Sequence, residues 1–148
     1  MAEKNDLMGK VVYFSHPTFT FRTETEKECI SRFHQLNVKK IINPANFGLR
    51  DDMKKKICEA EAIIGMCVSK KLTYLVWNEI EYGRANGSEI YTIMVESKND
   101  IGPMVEGIPK DVCKLSLDES KRFSEDILKK EYRMNIYSMM IGNWGRRF

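Results

Sequence analysis

Nothing in these 148 residues approaches the run of about 20 apolar residues that a membrane-spanning helix needs. The opening residues, Met1 to Asp6, are charged rather than basic and then apolar, so they do not read as an export signal. A cytoplasmic protein with no membrane partner is the expectation. The four cysteines, Cys29, Cys58, Cys67 and Cys113, include no close pair of the kind that builds a zinc site or a dithiol redox centre. They read as structural thiols, and neither a metal nor another cofactor is expected. Charge of one sign is also missing. With 24 basic and 21 acidic side chains interspersed, the net charge is +3, which does not predict a nucleic-acid polymer as partner. The run Lys54-Lys55-Lys56 and the pairs Lys39-Lys40 and Lys70-Lys71 read as solvated helix faces and loop tips. Heptads, low-complexity tracts and internal repeats are absent, so residues 1–148 read as one domain. Its 43% hydrophobic content is enough to cover both faces of a small sheet.

Hydrophobic patterning divides the chain into alternating elements. Val11 to Phe14 is a short β-prone run that stops at Ser15-His16-Pro17, where the proline blocks continuation. Thr23 with Glu26 forms a capping box, and Cys29, Ile30, Phe33 and Leu36 share one stripe, which predicts a helix from about Glu24 to Leu36. Lys39 to Asn43 gives a second strand, followed by a polar loop from Asn43 to Arg50 and a helix from Leu49 to Cys58. Ala62 to Val68 is apolar throughout, as a central strand covered on both sides should be. Thr73 caps a third helix that Gly87 ends, and Glu89 to Val95 is a fourth strand. Val112 to Leu117 is a weaker fifth strand, and a helical segment begins near Asp118, extends to about Met140 and is interrupted near Arg133.

Strands alternating with helices across short loops predict an α/β fold: a three-layer, doubly wound parallel sheet of about five strands, flavodoxin-like or Rossmann-like. Ligands of such sheets bind outside the carboxyl ends of the strands, which directs attention to the loops after the first three.

The third helix holds the most informative residue. Its apolar stripe runs Leu72, Leu75, Val76, Ile80 and Gly83, and Glu79 falls within it. A carboxylate there is partly desolvated, which suits a nucleophile or general base. The same position also suits the edge of the stripe, with the carboxylate paired to a lysine or a backbone amide, and periodicity does not choose between them. The loop after the first strand, Ser15 to Arg22, mixes hydroxyls, an imidazole, aromatic rings and an arginine just before a helix start. Ser15, His16, Thr18 and Arg22 are therefore candidates to contact a sugar or a phosphate, with Asn46 from the next loop beside them.

The segment Val12-Tyr13-Phe14-Ser15-His16-Pro17, together with Asn78-Glu79-Ile80-Glu81-Tyr82-Gly83 ahead of the strand Glu89 to Val95, resembles the nucleoside 2-deoxyribosyltransferase family and its nucleotide N-hydrolase relatives. The resemblance spans most of Val11 to Val95. It implies that Glu79 is the nucleophile that attacks the anomeric carbon, that Tyr13 positions it, and that Glu61 stands where an aspartate near the base is usual. Three positions depart from the family pattern. Thr73, six residues before Glu79, replaces an aspartate that contacts sugar or base; Glu81 replaces a glycine; and Glu61 is one methylene longer than aspartate.

The function this implies is cleavage of a nucleoside or nucleotide N-glycosidic bond, or transfer of its deoxyribosyl group. Glu79, Tyr13 and Glu61 would be the catalytic set, and Thr73 would line the substrate site. The alternative is a nucleotide-binding sensor domain that keeps the cleft without turnover, which the Thr73 replacement favours. The apolar tail, residues 139–148 and especially 141–148, can dock on a neighbouring copy or fold back on its own domain, and the resemblance tips this toward a homo-oligomer.

Overall fold

The computed structural model of the chain describes residues 5–46, 52–97 and 100–130. Strand β1 (Val11–Ser15) lies between β2 (Lys40–Ile42) and β3 (Ala62–Val68), parallel to both. On the far side of β3 runs β5 (Glu89–Ser97), also parallel, and β6 (Asp100–Glu106) closes that edge antiparallel to β5. The order across the sheet is β2-β1-β3-β5-β6. A two-residue strand, β4 (Lys71–Leu72), folds back on the end of β3, and β7 (Cys113–Lys114) pairs with it.

Helices cover both faces. On one side α1 (Glu24–Gln35) and α4 (Leu117–Lys130) bury Cys29, Phe33, Ile127 and Leu128 against Val12, Phe14, Ile64 and Met66. On the other, α2 (Asp52–Cys58) and α3 (Tyr74–Ala85) bury Ile57, Val76 and Ile80 against Tyr13, Ile63 and Cys67. Strand alternation explains the division: even-numbered residues of β1 face one layer, odd-numbered residues the other. All seven residues of β3 are buried, as a strand covered on both faces requires. The result is the expected three-layer α/β architecture, compatible with a flavodoxin-like fold, with a mixed rather than wholly parallel sheet.

Three local differences from the sequence expectation have physical causes. Strand β6, which the sequence expectation lacks, runs through Gly102 and Pro103. An edge strand tolerates a proline because its outward side needs no ladder donor, and Pro103 is exposed there. The hairpin between β3 and β4 turns on Ser69 and Lys70, both at positive φ (51° and 62°), without the glycine or asparagine such turns usually show. The expected strand from Val112 to Leu117 shrinks to β7, because Ser116 and Glu119 make a reciprocal capping box that starts α4 at Leu117. Leu49, the continuation past Lys130 and the tail at 139–148 lie outside the described residues.

Two glycines let α3 approach the sheet closely. A Cβ on Gly65 of β3 would lie 2.5 Å from Ile80 Cδ1, and one on Gly83 of α3 would lie 2.5 Å from Ile63 Cγ1. Among the described residues, no helix is long and apolar enough to cross a membrane.

Candidate active site

The candidate site forms where α3 crosses the carboxyl end of β1. Tyr13 and Ser15 are two residues apart on one strand, so both side chains point to the α3 side. Gly65 lies opposite Ser15 in the ladder, and its missing side chain admits Ile80, the neighbour of Glu79. The helix therefore presents Glu79 to both hydroxyls. Tyr13 Oη donates to Glu79 Oε2 at 3.0 Å, and Ser15 Oγ donates to Oε1 at 2.6 Å. Tyr13 and Ser15 are fully buried, whereas Glu79 is partly exposed. Each carboxylate oxygen receives a different proton, which fixes the plane of the group and leaves lone pairs on both oxygens. Burial, then the charge of Glu79 and its hydrogen bond, push the ionisation of Tyr13 far above the ordinary phenol value, so it stays a donor.

The stripe that directed attention to Glu79 is only partly correct. Val76, Ile80 and Gly83 are buried along α3, but Leu72 lies in β4 and Leu75 is 37% exposed. Ser15 faces the carboxylate and does not stand free as a sugar contact.

The loop after β1 is held from within. His16 is buried, with Nδ1 2.9 Å from Thr20 Oγ1 and Nε2 3.0 Å from Asn43 Oδ1. Its ring stacks beside Phe14 and meets the edge of Phe21. Glu26 Oε2 lies 3.4 Å from Nε2, a separation that would favour an imidazolium. Burial works against this charge and is the larger effect: it lowers the His16 pKa to about 4, with the Asn43 and Pro17 hydrogen bonds opposing, so the ring is neutral near pH 7. His16 is thus a fastening between two loops and not an acid at the cleft. Thr20 Oγ1 also lies 2.6 Å from the Pro17 carbonyl. Thr18 is half-buried in the short 3₁₀ turn from Thr18 to Thr20.

Arg22 is exposed, at a φ of 61°, and donates from Nη2 to the Ala45 carbonyl at 3.2 Å, bridging the loops after β1 and β2. Exposed Asn46 ends the turn that follows β2. Thr73, at the N-cap of α3, is 3% exposed and makes no side-chain capping bond; the Tyr74 amide donates instead to Ser120 Oγ at 2.7 Å.

Glu61 is not brought to the site. Its Oε1 accepts the Val11 amide at 2.9 Å, at the amino end of β1, whereas Glu79 meets Ser15 at the carboxyl end. Four residues of strand put these ends about 13 Å apart. Glu61 fastens the start of two strands.

Three contributors escaped the sequence reading. Glu26, read only as half of a capping box, accepts the Arg22 amide at 3.0 Å and the Asn43 side chain at 3.3 Å from a buried position. Asn43, read as a strand end, caps its own turn by accepting the Ala45 amide at 3.0 Å. Met53 on α2 places Sδ 3.2 Å from Tyr13 Oη. Only Asn43-Pro44 carried a turn signal that could have marked its residue. Among the described residues no group of His, Cys, Asp or Glu side chains is arranged to hold a metal ion.

No family model, no curated protein and no solved structure matches the chain.

Proposed function

We propose that this protein cleaves or transfers the N-glycosidic bond of a nucleoside or nucleotide, with Glu79 as nucleophile. The observation that carries this reading is the Glu79 carboxylate held between the Tyr13 and Ser15 hydroxyls at the carboxyl end of β1. An oxygen of Glu79 attacks the anomeric carbon as the bond to the base breaks, and the bonding pair leaves with the base, which takes a proton from solvent water. Water or a second base then attacks the same carbon, releasing the carboxylate. The cation-like sugar in both steps is stabilised by the nearby negative charge. Tyr13 and Ser15 orient the nucleophile so that little freedom is lost on reaching the transition state.

The resemblance at Tyr13 and at Asn78 to Gly83 supports the same chemistry. Thr73, about 9 Å along the helix from Glu79, is buried and the Tyr74 amide beside it is bonded to Ser120, so the polar 5′ end of the sugar falls to exposed groups at the rim. Arg22, with guanidinium N–H groups beyond the one given to Ala45, suits an anionic oxygen at the rim. Glu61 has no part in this scheme because of its place at the opposite strand end. Chromatography of a panel of nucleosides and nucleoside monophosphates incubated with the protein tests the reading. Free base should accumulate with wild type and not with Glu79→Ala; retained turnover by Glu79→Ala excludes it.

One observation favours a binding domain without turnover: both Glu79 oxygens already accept hydroxyl protons, which lowers their nucleophilicity. A ligand-induced rise in melting temperature with no release of base from any member of the panel would select that reading.

A further inference from the structure

The hydroxyl that orients Glu79 has a second neighbour. Tyr13 carries one phenolic proton and has two acceptors in reach, Glu79 Oε2 at 3.0 Å and Met53 Sδ at 3.2 Å. A thioether is a weak acceptor and a carboxylate a strong one, so the proton goes to Glu79. Met53 packs against the edge of the α2–α3 core but is partly exposed, whereas Met66 and Met104 are 0% and 2% exposed. It is the methionine through which a small oxidant could reach the nucleophile's support.

We propose that Met53 is a site of reversible oxidation by hydroperoxides, and that its sulfoxide breaks the Tyr13–Glu79 hydrogen bond. The sulfur attacks one peroxide oxygen, the O–O bond breaks and an S–O bond forms. Sulfur is oxidised by two electrons, and the other oxygen leaves with the proton as water or an alcohol. Oxygen added on the sulfur lone pair that faces the phenol has no room in a 3.2 Å contact, so α2 or the phenol must shift. It is also a strong acceptor that competes for the Tyr13 proton, and the negative end of its dipole repels the Glu79 carboxylate. Two-electron reduction by the thiols of a methionine sulfoxide reductase, with the oxygen leaving as water, returns the thioether and restores the clamp. The expected effect on turnover rests on the proposed glycosidic chemistry; the modification and its effect on Tyr13 do not.

The test treats the full chain with hydrogen peroxide while peptide mass spectrometry follows each methionine and proton NMR follows the Tyr13 hydroxyl, assigned by its loss in Tyr13→Phe. Met53 should oxidise ahead of Met66 and Met104. The hydroxyl resonance should shift or vanish in step with Met53 oxidation, return after methionine sulfoxide reductase, and persist in peroxide-treated Met53→Leu. Base release should fall by roughly 10-fold to 100-fold in step with it. The proposal is overturned if Met53 stays reduced until the buried methionines react, or if the resonance is absent beforehand. It is equally overturned if the resonance is unchanged with Met53 fully oxidised, or is lost as readily in Met53→Leu. If untreated protein releases no base, the glycosidic reading fails while the NMR and mass data still decide the role of Met53.

Discussion

The Tyr13 hydroxyl and the Glu79 carboxylate, 66 positions apart in sequence, lie 3.0 Å apart because α3 settles onto β3 at Gly65, next to β1. The Ser15 hydroxyl completes the clamp. Each donor serves geometry more than charge, so Tyr13→Phe and Ser15→Ala should each lower kcat by roughly 10-fold to 100-fold and leave KM within a small factor. Steady-state kinetics on the best substrate of the panel checks this. A rise in KM with kcat intact would make the hydroxyls substrate ligands instead.

The buried imidazole ties stability to pH. With the His16 pKa lowered to about 4 when folded against 6.5 ordinarily, the unfolded chain binds a proton below pH 6.5 that the native state refuses until about pH 4. The His16 contribution is therefore fully present above about pH 6.5 and is lost as pH falls through that window, amounting to roughly 3 kcal/mol. Urea denaturation at pH 7 and pH 5 should show wild type losing more stability than His16→Asn over this interval. Equal losses would mean that the neighbouring Glu26 carboxylate cancels the effect of burial, and a smaller loss in wild type would mean that it outweighs burial and holds the ring charged.

Close packing at the two glycines should be measurable. In Gly83→Ala the new methyl meets Ile63 Cγ1 at 2.5 Å and Cδ1 at 3.0 Å, so a helix propensity gain of about 1 kcal/mol should be outweighed by about 1–3 kcal/mol of overpacking. Gly65→Ala presses on Ile80 Cδ1, the far end of that side chain, and should cost less stability. It should cost more activity, because Ile80 adjoins Glu79. Thermal melts with activity assays on both variants distinguish the two effects; equal behaviour would show that α3 does not depend on this approach.

The β3–β4 turn should respond in the opposite direction. Lys70 holds a φ of 62° that a side chain resists, and its ion pair with Asp111 at 3.2 Å is exposed on both sides. Exposed pairs contribute little, so Lys70→Gly should raise stability by roughly 0.5–1 kcal/mol. A lower midpoint in urea would show that the turn is not strained.

The parts of the molecule legible in the sequence were those with a local signature. Val11 to Phe14, Ala62 to Val68 and the Thr23 cap each announce their element through a period or a capping side chain, and the real elements follow them closely. Strand β6 was illegible because only its edge position makes Pro103 acceptable, and edge position is a tertiary fact. The Ser69-Lys70 turn was illegible because neither residue prefers positive φ. At the site, Glu79 could be singled out by its place on α3 and Tyr13 by resemblance. The role of Ser15 follows only from the register of β1 against β3, and that of Met53 from the placement of α2. Glu61 misled because being next to a central strand does not say at which end a carboxylate will stand.

The covalent step is the centre of the account, and mass spectrometry reads it directly. A nucleoside carrying fluorine at the 2′ position and an activated base as leaving group traps the sugar: the electron-withdrawing atom destabilises the cation-like transition states of both steps, and the good leaving group restores the first of them. Incubated with wild type, it should leave a sugar-sized mass increase on the peptide containing Glu79 and none on the same peptide of Glu79→Ala. Base release from the unmodified substrate with Glu79 never labelled, or labelling of a different residue, would contradict Glu79 as the nucleophile.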